Sequence, residues 1–264
     1  MVQTPGAFSN WMTVLADMAR EQIGRGPKTL SFATRAGLRI DCPNQPGARV
    51  PIYEIFAEDC YRLEWFLGPL ATRPIQVMDI GGQVGTFSCW LAHMQPQATI
   101  TSYEPSPTTA GFLRKNVEQN HFDGRITVVE SALAATTGFA EFEDNGAGSG
   151  TNGLVSAGHS AGSRPPIKVK TVAFDEAVAA MTAPIEVVKI DCEGGEYDLV
   201  LNSSPSSWSS VQRVVLEYHP VPGQSWGELR GWFDQNGLRV EDEVSADGYG
   251  TVWLSREPLA PVSG

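Results

Sequence analysis

At 264 residues, with 42% hydrophobic and 19% charged side chains, the chain has the size and composition of one globular α/β domain rather than of a disordered or fibrous segment. A net charge of −11, with Lys and Arg scattered singly, repels phosphate backbones and anionic lipid, so neither nucleic acid nor a membrane is expected as a partner. Cys42, Cys60, Cys89 and Cys192 lie far apart with no CxxC spacing, against a zinc ribbon or a disulfide framework; with no signal-peptide pattern and no apolar run near the roughly 20 residues of a membrane span, a reducing cytoplasm is the expected compartment.

Residues 8–23 carry Phe8, Trp11, Val14, Leu15, Met18 and Ile23 at helical spacing ahead of a Gly24-Arg25-Gly26-Pro27 stop, which predicts an amphipathic helix. Short strands are expected at 30–33 and 38–41, then a second helix over 57–67 closed by Pro69 and Pro74. Residues 1–72 thus read as a cap on a main domain spanning 73–256, with 257–264 as a tail.

From residue 75 onward, apolar runs at 75–80, 99–103, 126–129, 185–190 and 211–216 alternate with helical patterns near 84–94, 106–120 and 173–181. That alternation signals βαβ units and a mostly parallel sheet with helices on both faces. A helix at 226–236 and strands at 238–244 and 251–254 complete seven strands, the last two a hairpin. Residues 144–165 are too rich in Gly and Ser to pack, so they read as a mobile loop, either a surface insertion or a lid over substrate.

The segment Val77-Met78-Asp79-Ile80-Gly81-Gly82-Gln83-Val84-Gly85 puts glycines directly after a buried strand and at the start of a helix, where a tight turn lets backbone approach a ligand. The next strand ends in Glu104-Pro105, about 20 residues on, the separation at which a carboxylate meets the ribose hydroxyls of an adenosine cofactor. An acid at position 79 would repel the pyrophosphate of a nicotinamide dinucleotide and suits a cofactor carrying a sulfonium and an amino group.

Asp79-x-Gly81-x-x-x-Gly85 followed by Glu104 resembles the cofactor motifs of class I methyltransferases, and Val188-Lys189-Ile190-Asp191-Cys192-Glu193-Gly194-Gly195-Glu196-Tyr197 resembles the signature of the FkbM family within that class. Ile55-Phe56-Ala57-Glu58-Asp59-Cys60-Tyr61 is similar to the segment that precedes the sheet in that family. The resemblance covers about 50–220 and implies a Rossmann-like fold and S-adenosylmethionine as methyl donor. It implies Gly81, Gln83 and Gly85 around the methionine part, Glu104 on the ribose, and Ser131 and Ala132 beside the adenine, with Tyr61, Asp79, Pro105 and Asp191 completing the cofactor set. The chain departs from the family at Gly82 and Gly195, where alanine is usual, and at Cys192, where valine is usual.

Methyl transfer is an in-line displacement, so donor and acceptor must be aligned and a hydroxyl acceptor must lose a proton. Two-residue alternation sets Lys189 and Asp191 on one face of the fourth strand of the sheet, and Glu217 and His219 together at the end of the fifth. Asp191 is the leading catalytic candidate, with a helix cap as its structural alternative; His219, with an unshifted pKa, suits a general base. Lys189 reads as the buried counter-charge of an acid such as Glu217, and Glu193 and Glu196 as ordering the turn through backbone amides. Asp191, Glu217 and His219 could also hold a divalent cation such as magnesium. His93, His121 and His159 are not assigned to the site.

The family resemblance implies O-methylation of a hydroxyl on a small molecule, such as a polyketide, a sugar or another specialised metabolite. An amine acceptor, a nicotinamide-dependent oxidoreductase and a cofactor-binding subunit without turnover stay open beside it, and a homodimer is the assembly to test.

Overall fold

The computed structural model describes residues 3–146, 152–155, 165–246 and 248–260. The chain opens with α1 (Thr4–Ala7) and α2 (Trp11–Gln22). Phe8 lies outside both helices: it bridges to Thr34 and sets its ring edge-on against Phe32 at 4.8 Å, so burial of the aromatic shortens the predicted helix from its start. β1 (Thr29–Ala33) and β2 (Arg39–Pro43) pair antiparallel where two strands were expected.

The helix expected at 57–67 is displaced. α3 occupies Pro46–Phe56 and only the short α4 (Leu63–Leu67) falls inside the expected span. Pro46 takes the first helical position, where its missing N–H costs nothing, while Asp59 and Arg62 turn left-handed and separate the two helices.

There follow β3 (Ile75–Ile80), α5 (Thr86–Met94), β4 (Ala98–Tyr103), α6 (Pro107–Gln119) and β5 (Ile126–Val129). A small-sheet region comes next, β6 (Ala132–Ala134), β7 (Gly138–Glu143), β8 (Gly153–Leu154) and β9 (Ile167–Ala173), then α7 (Phe174–Ala179). The chain ends through β10 (Val187–Ile190), α8 (Glu196–Leu201), β11 (Arg213–Tyr218), α9 (Trp226–Gln235), β12 (Arg239–Ala246) and β13 (Tyr249–Ser255).

The main sheet has seven strands, mostly parallel with the last two as a hairpin, as the sequence predicts; their order is β12-β13-β11-β10-β3-β4-β5, and β13 runs against both its neighbours. Alternation along its central strands explains their apolar runs, because both faces are buried. Val77, Val187 and Val215 join a core with Phe32, Ile52 and Phe66 of the cap, whereas Met78, Val188 and Leu216 face Trp208 and Phe233. The end of the sheet where Ile80, Ile190 and Tyr218 finish is therefore covered by the cap on one face and by the small sheet and later helices on the other.

The second sheet, in the order β6-β9-β7-β8, was not anticipated from the sequence. Of the predicted loop, 147–151 and 156–164, with His159, lie outside the described residues, and so does the question of a lid. Gly153 and Leu154, inside it, pair with Glu143 and Phe142. No helix among the described residues is long and apolar enough to cross a membrane.

Candidate active site

The glycine turn is held from two sides. The amides of Gly81 and Gly82 donate to Tyr103 O at 3.0 and 2.9 Å, tying the end of β3 to that of β4. Gly81 has φ +80°, and a Cβ there would fall 1.7 Å from Asp191 O; only glycine allows β3 and β10 to end in contact. A Cβ on Gly82 would lie 2.1 Å from Ser102 Oγ. A serine hydroxyl thus occupies the space that the methyl group would need.

Glu104 lies buried under this turn, accepting from Gln83 N at 3.0 Å and from Ser106 N at 2.8 Å. Burial pushes its carboxyl up to about 7 despite those two amides, which act to lower it. Glu104, Pro105 and Ala132, all expected, border a cleft of about 650 Å3 together with Tyr103, Phe142 and Leu154. The last two come from the small sheet. β8 seats closely on the adjoining turn, since a Cβ on Gly153 would lie 3.0 Å from Glu193 O.

Gly81, Gln83 and Asp191 border this cleft and also a smaller cavity of about 260 Å3, closed by Tyr61, Thr86 and Lys189. The Thr86 hydroxyl is buried there without a hydrogen-bond partner among the described residues. Three residues of the expected cofactor set border neither space. Ser131 donates to Glu130 O, Gly85 starts α5, and Asp79 is wholly buried behind the turn, accepting from Ser88 Oγ at 2.6 Å and Ser102 Oγ at 3.0 Å. The acid expected to meet the cofactor directly holds the scaffold instead.

Lys189 is the buried cation of the site. Its Nζ donates to Gly81 O at 2.7 Å and lies 3.3 Å from Asp191 and 3.5 Å from Asp79. Burial alone would lower its pKa, but Asp191, Asp79 and the more distant Glu217 outweigh it and hold the amine charged. The close counter-charges are therefore Asp79 and Asp191, while Glu217 takes its hydrogen bond from Tyr61 Oη at 2.5 Å.

Asp191, Glu217 and His219 converge at the ends of β10 and β11, each offering a ligand atom within 4.8 Å of the others. Asp191 does not cap α8, whose N-cap residue is Gly195. Glu196 does order the turn, accepting from Gly194 N at 2.9 Å and His219 N at 2.6 Å. It also stands 3.3 Å from Nδ1 of His219, and Glu193 stands 3.4 Å from Nε2. Burial would lower the histidine pKa, but Glu196, Asp191 and Glu193 together raise it to about 9. The expectation of an unshifted histidine base is thereby corrected: at neutral pH His219 is an imidazolium clasped by acids.

Glu217 behaves differently. Burial and the charge of Asp191 push it up to about 7, against the Tyr61 hydrogen bond. A cation could span the three side chains by spacing, yet Asp191 is paired with Lys189, Glu217 with Tyr61 and His219 with two acids. The structure brings Tyr61, Lys189, Asp191, Glu217 and His219 together, and adds Thr86, Phe142 and Leu154, which the sequence analysis did not single out.

The chain matches the family described as Methyltransferase FkbM domain over residues 79–240. It is 25% identical over 217 residues to 31-O-demethyl-FK506 methyltransferase FkbM of Streptomyces tacrolimicus, covering 72% of this chain and 81% of that one. Methyltransferase 1 of Beauveria bassiana is 24% identical over 183 residues, 62% of this chain and 70% of its own length. In fold the chain is similar to an SAM-dependent methyltransferase from Agrobacterium tumefaciens, with a TM-score of 0.50 at 10% identity, covering 88% of this chain and 71% of that one.

Proposed function

Because the chain belongs to the FkbM methyltransferase family and is an S-adenosylmethionine-dependent methyltransferase, we propose that it methylates a hydroxyl oxygen of a small molecule, with Glu217 taking the proton. Family membership sets the nicotinamide reading aside. A relative that acts on 31-O-demethyl-FK506 supports the class of acceptor.

The two joined cavities fit the donor. An apolar cleft with a carboxylate at its floor suits an adenosine, and the smaller cavity offers Thr86 an otherwise missing hydrogen-bond partner. In this reading Glu104 accepts from the ribose hydroxyls, Phe142 and Leu154 cover the base, and Gly81, Gln83 and Asp191 border both parts. When bound, S-adenosylmethionine supplies an electrophilic methyl group on a sulfonium.

The observation that carries the proposal is Glu217: a half-buried carboxyl pushed up to about 7, beside the Asp191 that borders the donor cavity. A hydroxyl needs a base tuned near the working pH, whereas an amine does not. Tyr61 holds one carboxylate oxygen and leaves the other for the acceptor proton. Lys189 stays charged and fixes Asp191, so the negative charge of the site has a set direction.

A second reading, an amine acceptor, draws on the gathering of Asp191, Glu193 and Glu217: burial and mutual repulsion push Glu193 up to about 8 and Glu217 to about 7, and a cationic group would relieve that repulsion. Glu217→Gln separates the two. With a hydroxyl acceptor, turnover should fall by roughly 10²- to 10⁴-fold while donor binding is kept; unchanged turnover of a hydroxyl acceptor would place the base elsewhere, and unchanged turnover of an amine alone would favour the second reading.

A further inference from the structure

We infer that the methyl acceptor lies on an open platform formed by the ends of β11, β12 and β13, and that this platform selects a neutral hydroxyl-bearing molecule with an apolar face. The inference rests on the reading of Glu217 as proton acceptor.

In the antiparallel pairing Glu217 stands opposite Thr251, and Thr251 opposite Val244, so the three side chains share one rung and one face. Two residues further along each strand, Ala246 stands opposite Tyr249 on that same face. Lower down the face is closed. Trp253 donates to Tyr61 O at 2.8 Å, and the Arg62 guanidinium lies 3.8 Å over its ring. The cover ends at the Tyr61 hydroxyl, where it meets Glu217.

Beyond that point Val244 is 60% and Tyr249 53% exposed, and they border a cleft of about 470 Å3 whose other walls include Glu217, His219, Ala246 and Thr251. Val244 and Tyr249 share one face of the hairpin and border the same cleft as the half-buried Glu217, and so form its apolar wall. His219 sets its ring at 89° to Tyr249, with centroids 5.7 Å apart, and fixes the far wall.

Charge decides the occupant. Five carboxyls, Asp79, Asp191, Glu193, Glu196 and Glu217, are gathered around two bases, Lys189 and His219, and of the five it is Glu217 that borders the cleft. A phosphate or carboxylate would be repelled there. A neutral hydroxyl would find an acceptor for its proton and apolar contact for its ring or chain.

The test fills the donor cavities with S-adenosylhomocysteine and follows binding of 2-naphthol by fluorescence, with 2-naphthoate as its anionic counterpart. Val244→Asp and Tyr249→Ala should each weaken 2-naphthol by about tenfold while S-adenosylhomocysteine affinity holds within about twofold. The naphthoate should bind the unaltered protein about tenfold more weakly than naphthol. Absence of saturable naphthol binding, equal binding to all three proteins, or naphthoate binding as tightly as naphthol would each overturn the platform. Because these are binding measurements, they fail independently of the proton-acceptor role, which the turnover of Glu217→Gln decides.

Discussion

The phenol of Tyr61 donates a 2.5 Å hydrogen bond to Oε1 of Glu217, joining the segment between α3 and α4 to the end of β11. Burial, with the charges of Glu217 and Asp191, raises the tyrosine pKa well above its ordinary value, so the phenol remains a donor across the working pH range. The cap thus reaches the candidate site as well as the core.

Turnover of a hydroxyl acceptor should rise as pH climbs through about 7, the value to which burial and Asp191 push Glu217, because only the deprotonated carboxylate takes a proton. Tyr61→Phe removes a bond that lowers this pKa and should move the rise to higher pH. Steady-state rates measured across neutrality check both; an unmoved profile would uncouple the two residues.

Glu104→Ala should weaken S-adenosylmethionine by the loss of a charge-assisted hydrogen bond, about 1.5–3 kcal/mol, or roughly 10- to 150-fold in Kd. Titration calorimetry reads the loss directly. Since the variant also frees the amides of Gln83 and Ser106, a parallel thermal melt separates lost contact from a loosened turn.

The pH dependence of stability carries the sign of His219. Its folded pKa is raised from 6.5 to about 9, so its stabilising effect is complete below 6.5 and is lost as pH rises through about 9. Thermal melts over that window should show a decline that flattens in His219→Asn. A decline of the same size in the variant would assign the effect to other groups.

Gly82→Ala should destabilise the fold by about 1–3 kcal/mol, as forced overpacking does, because its Cβ would meet Ser102 Oγ at 2.1 Å and Leu113 Cδ1 at 2.7 Å. Ser102→Ala in the same chain should recover part of the loss. Urea denaturation of the four proteins in the cycle gives the answer, and simple additivity would remove the serine from the account.

Exhaustive chelation should leave turnover unchanged, since Asp191, Glu217 and His219 each engage a protein partner. Activity lost to a chelator and restored by magnesium would make the three a ligand set.

Much of this arrangement was legible in the sequence, for physical reasons that differ by element. β3 and β5 have the predicted limits because each is a short run rich in β-branched side chains, with Pro74 ahead of the first and the glycine turn behind it. Glu104 and Asp191 were legible because each ends such a run. α3 was hidden by Pro46 and Pro51, which read as breaks although the first sits where a helix tolerates it. The small sheet was hidden because β8 is only Gly153 and Leu154 inside a Gly/Ser-rich stretch, so Phe142 and Leu154 gave no signal of lining a cleft. The protonation of His219 was hidden too: Glu196, 23 residues away, supplies it, and local spacing does not reveal that contact.

β12 forms one margin of the main sheet, where an unpaired strand invites aggregation by adding a further chain. Its pairing with β13 shifts register between Val240 and Asp242, and Glu241-Asp242-Glu243 are consecutive acids at that irregularity. A second copy approaching edge to edge would meet a kinked ladder and like charges. The hairpin therefore leaves Val244 and Tyr249 exposed on its face while its outer strand disfavours extension of the sheet at that margin.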